Sequence, residues 1–170
     1  MAEKVSSRLR VRKIEFADPI KNAAGYASAV WDPQPYVLAD DEVVITQEDL
    51  EEDAVEVHNL DAPISVEYSG GKLSFSGSFT EASFEQLKKL IGDVASSGMA
   101  LSKPAKAFTL QKAIRITDAQ GNVILIPNAA GYVKLDLNFS KKGRAKFPFK
   151  FIAQAASDEW QVDLAYPTQV

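Results

Sequence analysis

The chain has 170 residues, of which 46% are hydrophobic and 25% charged, and it contains no cysteine. This length and composition indicate one globular domain with a sizeable core, and the lack of cysteine excludes disulfides, thiolate nucleophiles and cysteine-ligated metals. The formal net charge of −4 conceals an asymmetry, because residues 22–71 hold twelve acidic and no basic side chains, whereas the other residues hold nineteen basic and eleven acidic ones. Charge separated in this way favours association between molecules.

The beginning of the chain predicts a loose arm, then one strand, then a long irregular segment. Residues 1–8 are expected to form a flexible N-terminal arm, and residues 9–16 alternate apolar and polar side chains as a strand does. Residues 17–62 are predicted to make a long excursion from the core, because prolines and glycines interrupt their first half. Neither a secretory signal nor a run of about 18 apolar residues occurs, so synthesis in the cytoplasm and no membrane anchor are expected.

An acidic segment lies within this excursion. Between residues 40 and 61 it contains no lysine or arginine and ten carboxylates, namely Asp40, Asp41, Glu42, Glu48, Asp49, Glu51, Glu52, Asp53, Glu56 and Asp61. Its valines and Ile45 are strand-forming residues, so the segment is not expected to be a disordered acidic tail. The stretch TQEDLEEDA predicts a short helical turn with Thr46 as its cap, flanked by strand-like pieces.

Residues 63–165 are predicted to form a β core with one short helix. Residues 64–68 and 73–79 alternate and flank the sequence Ser69-Gly70-Gly71, which predicts a hairpin with a tight turn. A helix is predicted over residues 83–91, and Gly92 is expected to end it. Ser83 and Gln86 form a capping-box pattern there, and the apolar face of the helix comprises Phe84, Leu87, Leu90 and Ile91.

The last third of the chain is predicted to be nearly all strand. An alternating apolar face begins after Gly131 and comprises Val133, Leu135, Leu137 and Phe139. The turn KKGR then leads into a strand whose core face is predicted to hold Phe147, Phe149 and Phe151. Pro148 lies on the opposite face of that strand and favours an edge or bulge position. The chain is therefore expected to be one mainly β domain, residues 1–170. The predicted architecture is an antiparallel β-sandwich or barrel of eight or more strands, with one short packed α-helix and extended loops or arms.

A search of the sequence for catalytic chemistry gives no candidate. His58 is the sole histidine and is expected to be an exposed polar residue, because one histidine without cysteine builds no standard zinc site. No G-x-S-x-G elbow, calcium loop or phosphate loop occurs. The basic stretch FSKKGRAKFPFKF suggests nucleic-acid stacking, but its alternation favours a buried Phe face and a solvated basic face. No catalytic, cofactor-binding or metal-binding residue is predicted, and the chain is not expected to be an enzyme.

The order of these features resembles the bacteriophage tail tube (major tail) protein family. An acidic segment runs into LDAPISVEYSGG, and the strand KLSFSGSFTEAS leads directly into the helix FEQLKKLIG. The closing stretch GYVKLDLNFSKKGRAKFPFKFIAQAASDEWQVD is similar to the last strands of that family. The resemblance covers about residues 40–165. It implies a structural virion protein, made in the bacterial cytoplasm, whose hexameric rings stack into a tail tube, with partners such as the tape measure protein. It also implies a lumen that conducts DNA without specific binding.

Two sets of charged residues become candidates for a subunit interface or for the lumen. The acidic set comprises Asp40, Asp41, Glu42, Glu48, Asp49, Glu51, Glu52, Asp53 and Glu56, and the basic set comprises Lys141, Lys142 and Arg144. Either the acidic segment of one copy meets the basic surface of the next, or its carboxylates line the lumen and repel DNA. The alternative functions are another non-enzymatic virion or adhesion component, and a β-barrel that binds a small ligand.

Overall fold

The computed structural model describes residues 10–59, 61–91, 109–157 and 164–165. The N-terminal arm predicted for residues 1–8 and the helix end predicted at Gly92 lie outside them. The elements in chain order are β1 (Val11–Ala17), α1 (Ala23–Ser28), β2 (Asp32–Pro33), β3 (Val44–Gln47), β4 (Leu50–Val55), β5 (Ser65–Gly70), β6 (Leu73–Phe79), α2 (Phe84–Ile91), β7 (Leu110–Asp118), β8 (Val123–Val133), β9 (Asp136–Leu137) and β10 (Ala145–Ala153). The prediction of a mainly β, antiparallel fold with a short packed helix is confirmed.

The strands form one large curled sheet and one small sheet. The large sheet has the order β2-β1-β7-β8-β10-β6-β3, with β9 beside β10, and every pair in it is antiparallel. Its two sides are joined by residues 32–36. Asp32 pairs with Phe16 on β1, and the backbone N–H of Thr80, just after β6, donates to the Tyr36 carbonyl at 2.7 Å. The large sheet therefore curls into a barrel.

The core of the barrel is built largely from the Phe residues of two neighbouring strands. Phe147, Phe149 and Phe151 of β10 are buried as predicted, and the ring of Phe149 lies 5.0 Å from Phe75 and 4.4 Å from Phe79 on β6. These aromatic contacts fill the interior because alternate residues of each strand point to the same side of the sheet.

The edge or bulge position expected for Pro148 is wrong, because the register of β10 with β6 is continuous through Pro148. β10 lies between β6 and β8, so Pro148 is in an interior strand, opposite Ser78. Proline removes only the backbone donor, and the Pro148 carbonyl still accepts from the N–H of Lys134 at 2.7 Å. The neighbouring Phe residues on the core side compensate for one lost ladder bond by their burial.

The two helices cover different parts of the barrel. The capping box of α2 is confirmed, since Gln86 N donates to Ser83 Oγ at 3.2 Å and Ser83 N donates to Gln86 Oε1 at 2.9 Å. Leu87 and Leu90 of α2 are buried in the main core, whereas Phe84 remains half exposed. Helix α1 was not predicted from the sequence. Its N-cap is Asn22, whose side chain accepts from Gly25 N at 2.9 Å.

The segment 17–62 is divided among several positions. Residues around α1 lie on the outer side of the barrel, where Tyr26 and Trp31 pack with a second apolar cluster of Ala17, Ile20, Ala113 and Leu125. β2 and β3 belong to the large sheet. Only the part from residue 48 onward leaves the barrel.

Candidate assembly surface

The acidic segment forms one side of a long β-ribbon that projects from the barrel. Within the barrel, Val44 pairs with Ser76 and Gln47 with Leu73, and beyond it Leu50 pairs with Gly70 in the same register. The backbone N–H of Glu48 donates to the Lys72 carbonyl at 2.9 Å and connects the two halves. We call residues 48–72 the ribbon. Its strands β4 and β5 have six residues each, which corresponds to a length of about 20 Å.

Two local predictions for this region are wrong. The helical turn expected over TQEDLEEDA is absent because residues 44–47 and 50–55 are extended strands, each with a paired partner. The hairpin expected between residues 64–68 and 73–79 is also absent, since β5 pairs with β4 while β6 pairs with β3 and β10.

Gly70 and Gly71, which suggested a turn, lie instead at the junction between ribbon and barrel. Their φ angles are +87° and +82°, a region that favours glycine. A Cβ atom at Gly71 would lie 2.6 Å from Leu50 Cδ2 and 2.8 Å from Gln47 Nε2. The glycine pair therefore lets the strand change course and lets the ribbon's two strands approach closely.

The ribbon has two chemically different faces, because directly opposed residues of an antiparallel pair share a face. The register of β4 and β5 defines an apolar face of Leu50, Ala54, Val66 and Tyr68, with Glu52 among them, and an acidic face of Glu51, Asp53 and Glu67, with Val55, Ser65 and Ser69. Tyr68 is 62% exposed and Leu50 50% exposed. The Tyr68 hydroxyl donates to Glu52 Oε2 at 3.4 Å. The apolar face thus stays open to solvent.

The first three predicted acidic residues are separate from the ribbon. Asp40, Asp41 and Glu42 lie in the loop after Tyr36, and the Lys146 ammonium donates to Asp41 Oδ1 at 2.7 Å. Asp40 and Asp41 also line an open cleft of about 640 Å³ together with Lys142, Arg144 and Lys146. The structure therefore brings Asp40 and Asp41 beside basic residues of the same chain. It places Glu48, Asp49, Glu51, Glu52, Asp53 and Glu56 on or next to the ribbon strands.

A second projection carries the basic residues. Lys141, Lys142 and Arg144 lie in the turn between β9 and β10, where Gly143 N donates to the Ser140 carbonyl at 2.8 Å. All three are exposed, and none takes part in a salt bridge within the described ranges. We call residues 134–145 the basic hairpin.

The apolar face predicted from Val133 onward is only partly buried. Val133 lies in the core, but Leu135 and Leu137 are about half exposed and Phe139 is 93% exposed. The alternation continues past the end of the barrel, so side chains that would face the core have no core beneath them. The basic hairpin therefore combines an exposed apolar surface with three unpaired cations.

The ribbon and the basic hairpin leave the barrel at opposite ends. β6 and β10 are antiparallel, with Phe79 opposite Phe147 and Ser74 opposite Ile152. The ribbon joins β6 at Leu73, whereas the basic hairpin joins β10 beside Phe147 and hence beside Phe79. The seven residues of β6 separate the two ends by about 20 Å.

One partly buried ionic cluster, around Glu15, was not predicted from the sequence. Arg115 Nε donates to Glu15 Oε2 at 2.8 Å, Lys13 Nζ lies 3.2 Å from Glu15 Oε1, and the Arg115 guanidinium stacks 4.4 Å from the Trp31 ring. Burial alone would raise the pKa of Glu15, but hydrogen bonds and charges from Arg115 and Lys13 hold it below the ordinary value. Through Trp31, the cluster links the segment after α1 to the barrel. Glu15 and Arg115 are opposite each other on β1 and β7, and the sequence alone does not reveal this strand register.

Other chemistry remains limited. His58 is exposed in the loop after β4, and no cluster of metal-ligating side chains is found in the described part of the chain. None of the helices described is long and apolar enough to cross a membrane. Comparison with protein-family models and with curated proteins gives no match for this chain.

Proposed function

We propose that this chain is a structural virion protein whose copies assemble into hexameric rings that stack as a phage tail tube. The observation that carries the proposal is the presence of two different, exposed and apolar projections at opposite ends of one barrel. Two patches that differ make heterologous contacts, which propagate into rings or open stacks rather than closing as a symmetric dimer. The order of sequence features that resembles the tail tube family supports the same function.

The acidic face of the ribbon suits the inner wall of such a tube. Glu51, Asp53 and Glu67 share that face, and a wall of carboxylates repels the phosphates of passing DNA. DNA would then move through the lumen without specific binding. The apolar face of the same ribbon would be directed toward protein, so interface and lumen become two sides of one element.

The alternatives differ in what the chain assembles with. Another non-enzymatic virion or adhesion component would use the same ribbon on a different partner and would not form tubes by itself. A small-ligand-binding barrel gains no support from the interior, where Phe75, Phe79 and Phe151 are fully buried side chains.

Electron microscopy of concentrated purified protein, together with light scattering after gel filtration, tests the proposal. We expect rings with sixfold symmetry or tubes of constant width. A protein that remains monomeric at every concentration, also when tail initiator complexes are added, would contradict it.

A further inference from the structure

We infer that the ribbon's apolar face on one copy seats against Leu135, Leu137 and Phe139 on the basic hairpin of the next copy. The inference rests on the proposed function and names the contact between successive copies. It differs from a purely ionic bridge, because apolar side chains make most of the contact, with Glu52 of the ribbon among them.

Both halves of the contact are exposed apolar surfaces that one chain carries. On the ribbon, Leu50, Tyr68 and Val66 lie along one face, with Glu52 opposite Tyr68, and stay open to solvent; on the basic hairpin, Phe139 is 93% exposed. Exposed apolar side chains that share one face mark a place of association.

The charges around the two surfaces are complementary. The ribbon, residues 48–72, contains eight acidic residues and one basic residue, Lys72, whereas the basic hairpin, residues 134–145, contains four basic residues and one acidic residue, Asp136. Lys146 already pairs with Asp41, and Lys142 and Arg144 line the same cleft as Asp40 and Asp41. Within the described ranges, however, Lys141, Lys142 and Arg144 make no salt bridge. Opposite charges at the rim of an apolar contact set its register and speed its formation.

The partner is a second copy because the two surfaces lie at opposite ends of the barrel. The ribbon begins at the Leu73 end of β6, and the basic hairpin begins at the Phe79 end. A ribbon that points away from its own basic hairpin reaches the basic hairpin of a copy placed head to tail with it. Such a contact repeats without closing and builds a stack.

Disulfide cross-linking tests the contact directly, since the chain has no cysteine of its own. Val66→Cys and Leu137→Cys variants carrying tags of different mass are mixed, allowed to assemble and oxidised. We expect the mixed Val66–Leu137 dimer to dominate over either homodimer. Glu67→Cys is the matched control, because it lies one residue away on the acidic face of the ribbon, and it should give at least about tenfold less mixed dimer with Leu137→Cys, given the geometry that a disulfide demands.

Three results would overturn the inference. The first is equal cross-linking from both faces of the ribbon, and the second is the lack of any mixed dimer. The third is a rapid disulfide within a monomeric Val66→Cys/Leu137→Cys double variant, which would show that the contact lies inside one chain. Microscopy of the same samples separates the two proposals: tubes that lack the cross-link overturn only this contact, whereas a lack of assembly in every sample overturns the proposed function as well.

A second measurement uses a variant that leaves the fold intact. Phe139→Ser should weaken association at least tenfold, as seen by light scattering, while the far-UV circular dichroism stays unchanged. Val30→Ser is its control, because Val30 is 87% exposed and lies outside both surfaces. Equal association of the two variants would count against the contact.

Discussion

The ring of Phe16 on β1 lies 6.2 Å from the ring of Phe79 on β6, edge to face, although β7, β8 and β10 separate these strands in the sheet. Four strand spacings in a flat sheet would span about 19 Å. The sheet is therefore rolled so tightly that its two sides meet across one core, and Phe151 of β10 lies 5.3 Å from Phe16 in the same interior.

Truncation of Phe79 should destabilise the barrel strongly. Phe79 is fully buried, so Phe79→Ala removes aromatic contacts from both sides of the roll and leaves a cavity. We expect the free energy of unfolding to fall by about 3–5 kcal/mol, measured by urea denaturation. Phe84→Ala on the exposed side of α2 is the control and should cost far less; equal losses would mean that the roll is not held by this contact.

Substitution of the two junction glycines should separate backbone strain from steric contact. Gly70→Ala suffers only the positive φ, because a Cβ there meets no atom within 4 Å, whereas a Cβ at Gly71 meets Leu50 and Gln47. Each substitution should cost about 1–3 kcal/mol of local stability, and Gly71→Ala should cost more. Hydrogen exchange of the β4 and β5 amides measures this local stability. Equal protection of these amides in both variants would contradict the close approach at Gly71.

The Glu15 cluster should make stability depend on pH. Because the pKa of Glu15 is lower in the folded state, its contribution is fully present above the ordinary value of 4.5 and is lost as pH falls through the lower, folded value. In the Glu15→Gln variant, the loss of stability on acidification from pH 6 to pH 3 should be smaller than in the wild type. Urea denaturation midpoints of both proteins across this pH range measure the difference. If the midpoints of the two proteins fell in parallel, Glu15 would contribute nothing to the pH dependence of stability. The pKa of Asp118 is lowered too, because hydrogen bonds from Asn122, Gln120 and Gly121 outweigh its burial, so some acid sensitivity should remain.

Charge reversal on the two projections should have different effects. Lys141→Glu/Lys142→Glu should weaken association about tenfold and reduce its dependence on salt, because charges at the rim of a contact mainly govern its rate. Glu51→Lys/Asp53→Lys lies on the acidic face and should leave assembly intact while DNA passage is impaired. Light scattering against salt concentration and infectivity of reconstituted particles measure the two effects. If the acidic-face variant also fails to assemble, that face is part of the interface.

The locally encoded parts of the fold could be predicted from the sequence. The Ser83–Gln86 capping box and the alternation of Phe147, Phe149 and Phe151 each involve residues close in the chain, so pattern and structure agree. The pairing of strands is different, because β5 has an alternating pattern that suits either β4 or β6 as a neighbour. Gly70 and Gly71 suggested a turn, yet their positive φ angles occur at the junction between the ribbon and the barrel.

The sequence predicts which residues belong to the candidate site, but it does not predict how they are arranged in space. The acidic residues are close together in the sequence but lie at opposite ends of the barrel. The bridge between Tyr36 and Thr80 places residues 40–42 at one end. The register of β3 with β6 places residues 48–56 at the other end. Pairings over such separations leave no mark in a single sequence. The exposure of Phe139 was also unforeseen, because the alternation does not reveal where the barrel ends.

The two outer edges of the ribbon have a consequence for the free protein. In the part of the chain that the structure describes, β4 and β5 form a sheet of two strands, so their outward backbone N–H and C=O groups are available for pairing with any extended chain. Two ribbons that met edge to edge before assembly would bring rows of carboxylates together, and this repulsion opposes the growth of amyloid-like aggregates. We therefore expect the acidic residues to protect the open strand edges of the ribbon from pairing of this kind.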